Sequence, residues 1–217
     1  MVMHIVNLPP LVAALSLSIY WGYVIIKLIR LGKKIGKDPN ALPRERVGIL
    51  LRVLWYPCIF ALLAGLWMAA IIPPQRLAHM GGGWLIGWLW PPANAWFIVA
   101  ILASILCVLG TVLTFVCWRK MGRSWRIGID PGETLALVST GPYRLVRHPI
   151  YALRMIINLC AFLMAPTLLV LLTAGIDFVL LQIEARREER YMESKHGEVY
   201  ATYKNSVGRF VPRTFVV

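Results

Sequence analysis

The sequence predicts an all-α integral membrane protein of a single domain with five transmembrane helices. Of its 217 residues, 59% are hydrophobic and only 15% are charged, whereas a soluble domain is about 45–50% apolar. Long apolar runs also alternate with basic segments. We assign three helices to residues 1–118 and two to residues 119–217, which hold nearly all the polar side chains suited to chemistry.

Three apolar runs approach or exceed the roughly 20 residues that a helix needs to cross a bilayer. These runs are residues 10–29, 47–72 and 95–118. A fourth apolar region, residues 150–183, is too long for one span and contains Pro166. Because proline removes a backbone donor and clashes with the preceding turn, we expect a helical hairpin that turns near Pro166.

Basic residues predict how these helices lie in the membrane, because cytoplasmic loops collect lysine and arginine. Seven fall in residues 27–46, six in 119–147 and seven in 186–213. With five spans, this pattern puts the N-terminus outside and the C-terminus in the cytoplasm, and a bacterial inner membrane is the expected location. The net charge of +13 is then attracted to anionic membrane lipids, and no nucleic acid is expected as a partner.

The predicted hairpin brings charged residues inside the membrane to matching depths. Arg154 lies twelve residues before Pro166, and Asp177 lies eleven after it. Since a buried charge needs a partner, we expect a structural ion pair, with binding of substrate by Arg154 as the alternative. One turn deeper, we expect Asn158 to form a hydrogen bond with Thr173.

A polar cluster stands at the two ends of this hairpin. Tyr143, Arg147 and His148 come directly before its first helix, and Glu184 and Glu188 share one face of the helix that leaves it. The hairpin returns both sets to one side of the membrane, so acids and bases converge there. Alternating charges of this kind are also typical of a merely solvated helix.

Such a cluster suits a ligand that carries an amino-acid group, an aromatic ring system and a cation. Arginine or histidine binds a carboxylate and glutamate binds an ammonium group. Apolar and aromatic walls accept a base ring, and a tyrosine face attracts a sulfonium. S-adenosylmethionine meets all these requirements, although a nucleotide, whose phosphates would bind the arginines, is the alternative from these residues alone.

Two motifs in this half of the chain resemble a known family. Residues 141–151 read GPYRLVRHPIY, and residues 187–192 read REERYM, followed by HGEVY at 196–200 and RFVP at 209–212. Their order and spacing are similar to those of the isoprenylcysteine carboxyl methyltransferase family and its phospholipid methyltransferase relatives. The resemblance implies a membrane enzyme that binds S-adenosylmethionine on the cytoplasmic side and methylates a lipophilic acceptor.

The resemblance also implies which residues form the site. Residues matched to the family's cofactor site are Leu135, Ala136, Leu137, Val138, Tyr143, His148, Pro149, Ile150, Tyr151 and Glu188. Arg147 and Glu189 complete the matched strings and are assigned to catalysis. Arg154 and Arg187 are assigned to substrate binding. No metal is expected.

Two departures from the family pattern concern packing and the acceptor. Leu153 stands where the family usually has a glycine, and Glu184 stands where the prenylcysteine enzymes have a substrate-binding arginine. Arg186 or Arg187 is the candidate for the missing charge. The acceptor is therefore open among a carboxylate, an amine, a thiol and a lipid headgroup, and a general base is needed only if the acceptor arrives protonated.

Two other functions are weighed against methyl transfer. Membrane sterol reductases, which bind NADPH, also resemble the C-terminal region. A transporter or membrane scaffold without enzymatic activity would spread its polar residues over several spans, whereas here they concentrate around the last two helices. The sequence therefore favours a methyltransferase over a reductase and over a protein without enzymatic activity.

Overall fold

The computed structural model describes residues 7–36, 46–73, 76–77, 93–125, 129 and 136–213. Within these ranges the chain forms five long α-helices and no β-strand, in agreement with the predicted all-α class. In chain order the helices are α1 (Leu8–Ile35), α2 (Arg46–Ile71), α3 (Ala93–Met121), α4 (Pro149–Met164) and α5 (Leu168–Ser206).

Four of these helices, α1, α2, α3 and α5, are long and apolar enough to cross a membrane, which fits a multi-pass membrane protein. The predicted positions of the first three spans are confirmed. The prediction of five spans is confirmed for only four, because α4 has 16 residues. At 1.5 Å per residue such a helix is about 24 Å long, and the hydrocarbon core is about 30 Å thick.

Prolines account for the bounds of α4. Pro149 is its first residue, a position where the missing N–H is not needed. Its last residue is Met164, two residues before Pro166, so the predicted break in the fourth apolar region is confirmed. The next helix, α5, begins directly after Thr167. The hydroxyl oxygen of Thr167 accepts a hydrogen bond from the Val170 N–H at 3.3 Å, as N-cap residues do.

The longest helix, α5, has 39 residues. Its apolar first part is followed from Glu184 onward by a charged part. At Gly197 the backbone leaves the helical region, with φ 53° and ψ −129°, so two helical segments meet there. The second segment carries Tyr200 and Tyr203.

Glycines allow close packing between the helices. A Cβ atom added to Gly65 of α2 would lie 2.5 Å from Val170 of α5, and one added to Gly110 of α3 would lie 3.1 Å from Ile157 of α4. Membrane helices commonly approach each other through such small residues. The second half of the chain is thus packed directly against α2 and α3.

The expected ion pair between α4 and α5 is confirmed. Arg154 donates two hydrogen bonds to the carboxylate of Asp177, at 2.8 and 3.0 Å, and both residues are buried. The expected bond from Asn158 to Thr173 is wrong, because the Asn158 amide donates to Asp177 instead. A carboxylate is a stronger acceptor than a hydroxyl group, and Asp177 lies within reach of both Arg154 and Asn158.

Candidate active site

The polar segment before α4 begins with a short 3-10 helix, Gly141–Arg144. Gly141 has a φ of 65°, which glycine adopts without steric cost. Tyr143 in this helix is buried, and its carbonyl oxygen accepts a hydrogen bond of 2.6 Å from the Tyr203 hydroxyl. The end of α5 therefore holds the 3-10 helix in place.

The segment then pairs with the residues that follow α5. The Arg147 N–H donates to the Gly208 carbonyl at 2.8 Å, and the His148 N–H donates to the Arg209 carbonyl at 3.0 Å. A Cβ atom at position 208 would lie 1.9 Å from the Val211 carbonyl oxygen, so a glycine is required there. These bonds join the first matched motif to the last.

A buried carboxylate ties the same two segments together. Glu189 is 2% exposed and accepts hydrogen bonds from Arg147 at 3.1 and 2.8 Å and from Arg209 at 2.9 and 2.5 Å. Arg147 also donates to the carbonyl oxygens of Lys204 and Val207. We refer to Arg147, Glu189 and Arg209 as the arginine clasp.

His148 lies between two carboxylates. Its Nδ1 atom is 3.4 Å from Glu188 and its Nε2 atom is 3.4 Å from Glu189. Its ring stacks on that of Tyr151, with centroids 5.4 Å apart. Burial lowers the pKa of His148, but the two carboxylates more than offset this, so its pKa lies above the ordinary 6.5. The two carboxylates thus shift His148 toward its protonated, cationic form.

Tyr151, Glu188 and Tyr143 are further polar residues of the matched motifs in this region. The Tyr151 hydroxyl donates to Glu188 at 2.6 Å, and 28% of the Glu188 side chain is exposed. The buried hydroxyl of Tyr143 has no hydrogen-bond partner among the described residues. Burial raises the pKa of Tyr143 above its ordinary 10.0, so this hydroxyl keeps its proton and can donate to a ligand.

These side chains line a cavity of about 240 Å³. Nine residues that were predicted to bind the cofactor contribute to its wall: Ala136, Leu137, Val138, Tyr143, His148, Pro149, Ile150, Tyr151 and Glu188. The tenth, Leu135, lies outside the described residues. The two motifs, almost 40 residues apart in sequence, thus meet at one cavity.

Of the four residues assigned to catalysis and substrate binding, two line the cavity and two do not. Arg147 and Arg154 belong to its wall, but both are already bonded to carboxylates, Arg147 to Glu189 and Arg154 to Asp177. Glu189 and Arg187 are not among the residues that line the cavity, and the Arg187 guanidinium pairs with Glu184. Their assigned roles stay predictions.

The motifs gave no indication of the opposite wall, which comes from α1, α2 and α3. Trp21, Arg52, Trp55 and Trp118 line it, and Arg52 is only 6% exposed. One signal was available in the sequence, because an arginine inside an apolar membrane helix is a candidate functional residue. The aromatic residues carried no such signal, since single tryptophans are common in membrane helices.

The helices and motifs that form the cavity lie in a part of the chain that is similar to a known family. Residues 98–199, somewhat less than half of the chain, match the model of a family described as phospholipid methyltransferase. This confirms the resemblance that the motifs indicated. The match begins in α3 and ends in α5, so it includes α4 and both charged motifs that line the cavity.

One curated relative extends the similarity into the first half of the chain. The chain is 32% identical over 158 residues to the methanethiol S-methyltransferase of Pseudomonas sp. (strain GM41(2012)). The alignment covers 71% of this chain and 56% of that protein. The chain therefore spans about half the length of the relative.

Proposed function

We propose that this protein transfers a methyl group from S-adenosylmethionine to an acceptor at the membrane. The observation that carries the proposal is the cavity, whose wall contains residues of both matched motifs. The family match over residues 98–199 and the similarity to a named methyltransferase support the same reaction class over a sterol-type reductase and over a transporter or scaffold.

The cavity's donors and acceptors fit the proposed cofactor. The Glu188 carboxylate suits the ammonium group, and protonated His148 suits the carboxylate. Ala136, Leu137 and Val138 supply an apolar wall for the adenine. The Tyr143 hydroxyl, which has no partner among the described residues, supplies a further hydrogen bond. When bound, S-adenosylmethionine supplies a methyl carbon that its sulfonium already activates.

The chain's own residues mainly align the reactants and exclude water. Holding two reactants near their attack geometry contributes about 7–11 kcal/mol to lowering the barrier. The arginine clasp serves this alignment, since Arg147 and Glu189 fix the backbone of His148 and the neighbouring Glu188. We therefore propose that Arg147 and Glu189 position the residues that bind the cofactor. This role is narrower than the catalytic role that the sequence analysis assigns to these two residues.

We further propose that α4 and α5 form a hairpin whose open end faces the cytoplasm, with the N-terminus outside, in a bacterial inner membrane. Arg154 and Asp177 support this arrangement, because they bond at nearly equal distances from Pro166. The cofactor then reaches the cavity from the water side, and a lipophilic acceptor enters sideways from the bilayer.

The identity of the acceptor rests on two observations. The position of the cavity at the start of an apolar helix favours a lipophilic molecule. The name of the relative, methanethiol S-methyltransferase, favours a thiol, and a lipophilic thiol satisfies both. Since apolar burial contributes about 0.8 kcal/mol per methylene, a long-chain acceptor should have a far lower KM than its short-chain counterpart.

One titration separates the methyltransferase from the reductase. Detergent-purified protein should bind S-adenosylhomocysteine, the product form of the cofactor, and not NADPH, as measured by calorimetry. Binding of NADPH alone would overturn the proposal in favour of a reductase. In nanodiscs, equal methylation of a long-chain and a short-chain acceptor would exclude entry from the bilayer as the basis of selectivity.

A further inference from the structure

Four tryptophans belong to the part of the cavity wall that does not come from the proposed cofactor residues. Trp21 of α1, Trp55 of α2 and Trp118 of α3 line the cavity, together with Trp125, which directly follows the 3-10 helix Gly122–Ser124. Indole rings offer large apolar surfaces. This part of the wall therefore suits an apolar molecule that binds beside the cofactor.

A guanidinium group holds the first two of these rings. The Arg154 guanidinium carbon is 5.2 Å from the centroid of the Trp21 ring and 4.9 Å from that of the Trp55 ring, within the range of a cation–π contact. Asp177 fixes this guanidinium through two hydrogen bonds. The ion pair between α4 and α5 thus also fixes rings of α1 and α2 in the cavity wall.

An ammonium group holds the other two rings. The Nζ atom of Lys27, in α1, is 4.2 Å from the centroid of the Trp125 ring and 5.2 Å from that of the Trp118 ring. Trp118 is packed by other rings as well, among them Tyr20 at 5.0 Å between centroids. Lys27 is not among the residues that line the cavity. Its effect on a bound molecule is therefore exerted through these rings, of which Trp125 is the nearer.

The charged side chains of the wall do not favour an ion at these rings. Among the described residues, each charged group that lines the cavity has an opposite charge close to it: Arg154 is bonded to Asp177, Arg147 to Glu189, His148 lies between Glu188 and Glu189, and Arg52 interacts with Glu184. An ion at the tryptophans would lose its hydration without gaining a free counter-charge. An uncharged apolar molecule would gain from its burial.

We propose that the four tryptophans form the acceptor subsite, with Lys27 and Arg154 as the positioning residues that hold their rings. The subsite takes an uncharged apolar acceptor, an alkyl thiol in its S–H form, in preference to a carboxylate or an ammonium ion. This inference rests on the proposed methyltransferase function. It gives a role in acceptor binding to Lys27, which lies outside residues 98–199, the part that matches the family.

Methyl transfer to such a thiol changes three bonds. A lone pair of the thiol sulfur forms the bond to the methyl carbon, and the bond from that carbon to the sulfonium sulfur breaks, with its electron pair left on the sulfonium sulfur. The S–H bond breaks as well; its electron pair stays on the acceptor sulfur and the proton passes to water, which reaches the wall at Glu188, where 28% of the side chain is exposed. The products are an uncharged thioether and S-adenosylhomocysteine.

The first test measures the charge preference of the wild-type protein and needs no turnover. Three probes with the same alkyl chain, 1-hexanol, hexanoate and hexylammonium, are titrated at neutral pH into the full-length protein in nanodiscs while tryptophan fluorescence is followed. Affinities refer to the free concentration in water, and empty nanodiscs give the background. We expect 1-hexanol to bind at least about tenfold more tightly than either ion. Equal or tighter binding of hexanoate or hexylammonium would overturn the inference without any variant.

The second test concerns Lys27 as a positioning residue. Lys27→Met keeps the length of the side chain and removes its charge, so the dissociation constant of 1-hexanol should rise at least about fivefold. Lys27→Arg should stay close to wild type, because a guanidinium also binds over aromatic rings. Lys34→Met, which replaces an exposed lysine of the same helix, is the matched control and should equal wild type.

An unchanged affinity for 1-hexanol in folded Lys27→Met protein would overturn the positioning role. If Lys27→Met does not fold, Trp125→Leu removes the nearer ring instead and should weaken 1-hexanol to a similar degree; equal affinity there would contradict the subsite. Labelled S-adenosylmethionine supplied with 1-hexanethiol, hexanoate or hexylamine should methylate the thiol alone, and methylation of either other compound at an equal rate would contradict the selection.

The binding of S-adenosylhomocysteine keeps this inference separate from the proposed function. In Lys27→Met its dissociation constant should stay within about twofold of the wild-type value, whereas a general loss of structure would weaken both ligands. Wild-type protein that prefers 1-hexanol but does not bind S-adenosylhomocysteine would support the tryptophan subsite and contradict the methyltransferase. Protein that binds S-adenosylhomocysteine and prefers one of the ions would do the reverse.

Discussion

The two halves of the chain contribute to one cavity in different ways. In the second half, short motifs carry the polar residues, and backbone bonds between residues 147–148 and 208–209 bring those motifs together. In the first half, single residues of α1, α2 and α3 reach the cavity from long apolar helices. A sequence motif therefore reveals the part of a site that local structure builds, and not the part that helix packing builds.

The largest expected effect comes from breaking the buried ion pair that joins α4 to α5. Asp177→Ala leaves Arg154 buried without its carboxylate, which should cost about 3–5 kcal/mol of unfolding free energy. Replacing both residues with leucine should recover much of that loss. Thermal unfolding in detergent measures each variant.

The same variants decide between the two roles weighed for Arg154. If Arg154→Ala left the unfolding temperature unchanged and abolished methyl transfer, its role would be in substrate binding rather than structure. The pair also connects the two halves, since the Arg154 guanidinium lies against Trp21 and Trp55.

A smaller effect is expected where α2 packs on α5. Gly65→Ala places a methyl group 2.5 Å from Val170, and such overpacking costs about 1–3 kcal/mol. Gly22→Ala is the matched control, because nothing lies within 4 Å of a Cβ atom there. Equal unfolding temperatures for the two variants would mean that the halves are not held together at Gly65.

The success of the predictions made from the sequence also differs between the two halves. Pro166 predicted the break between α4 and α5, and Arg154 with Asp177 predicted their ion pair, because both follow from local rules about proline and buried charge. The predicted partner of Asn158 was wrong, because counting residues from a turn gives the depth of a side chain only to within about one helical turn. The sequence predicts that the short α4 crosses the membrane, because apolar residues continue from this helix up to Pro166.

Two features of the site depend on packing and had no sequence pattern of their own. Arg209 shares the Glu189 carboxylate with Arg147, although the chain between positions 189 and 209 gives no sign that they meet. Arg52 lies on the cavity wall, and its helix, α2, packs closely against α5 at Gly65. The sequence analysis does not single out Arg52, although its charge within an apolar run is a signal of a functional residue.

The smallest expected effect is the pH dependence that His148 adds to stability. Its folded-state pKa is raised above 6.5, after burial is offset by Glu188 and Glu189. The contribution is therefore fully present below pH 6.5 and is lost as pH rises through the raised pKa. The difference in unfolding temperature between wild type and His148→Gln should shrink as pH rises over that window. A difference that grew with pH would contradict the assigned charge.

We propose that the cavity between the two motifs binds the methyl donor, and replacement of Glu188 is the strongest test of this proposal. Calorimetric titration with S-adenosylhomocysteine should give a dissociation constant at least about tenfold higher for Glu188→Gln than for wild type, since a charged hydrogen bond is worth about 1.5–3 kcal/mol. Glu198→Gln, an exposed residue of the same helix, should match wild type. Equal affinity in all three folded proteins would contradict the claim.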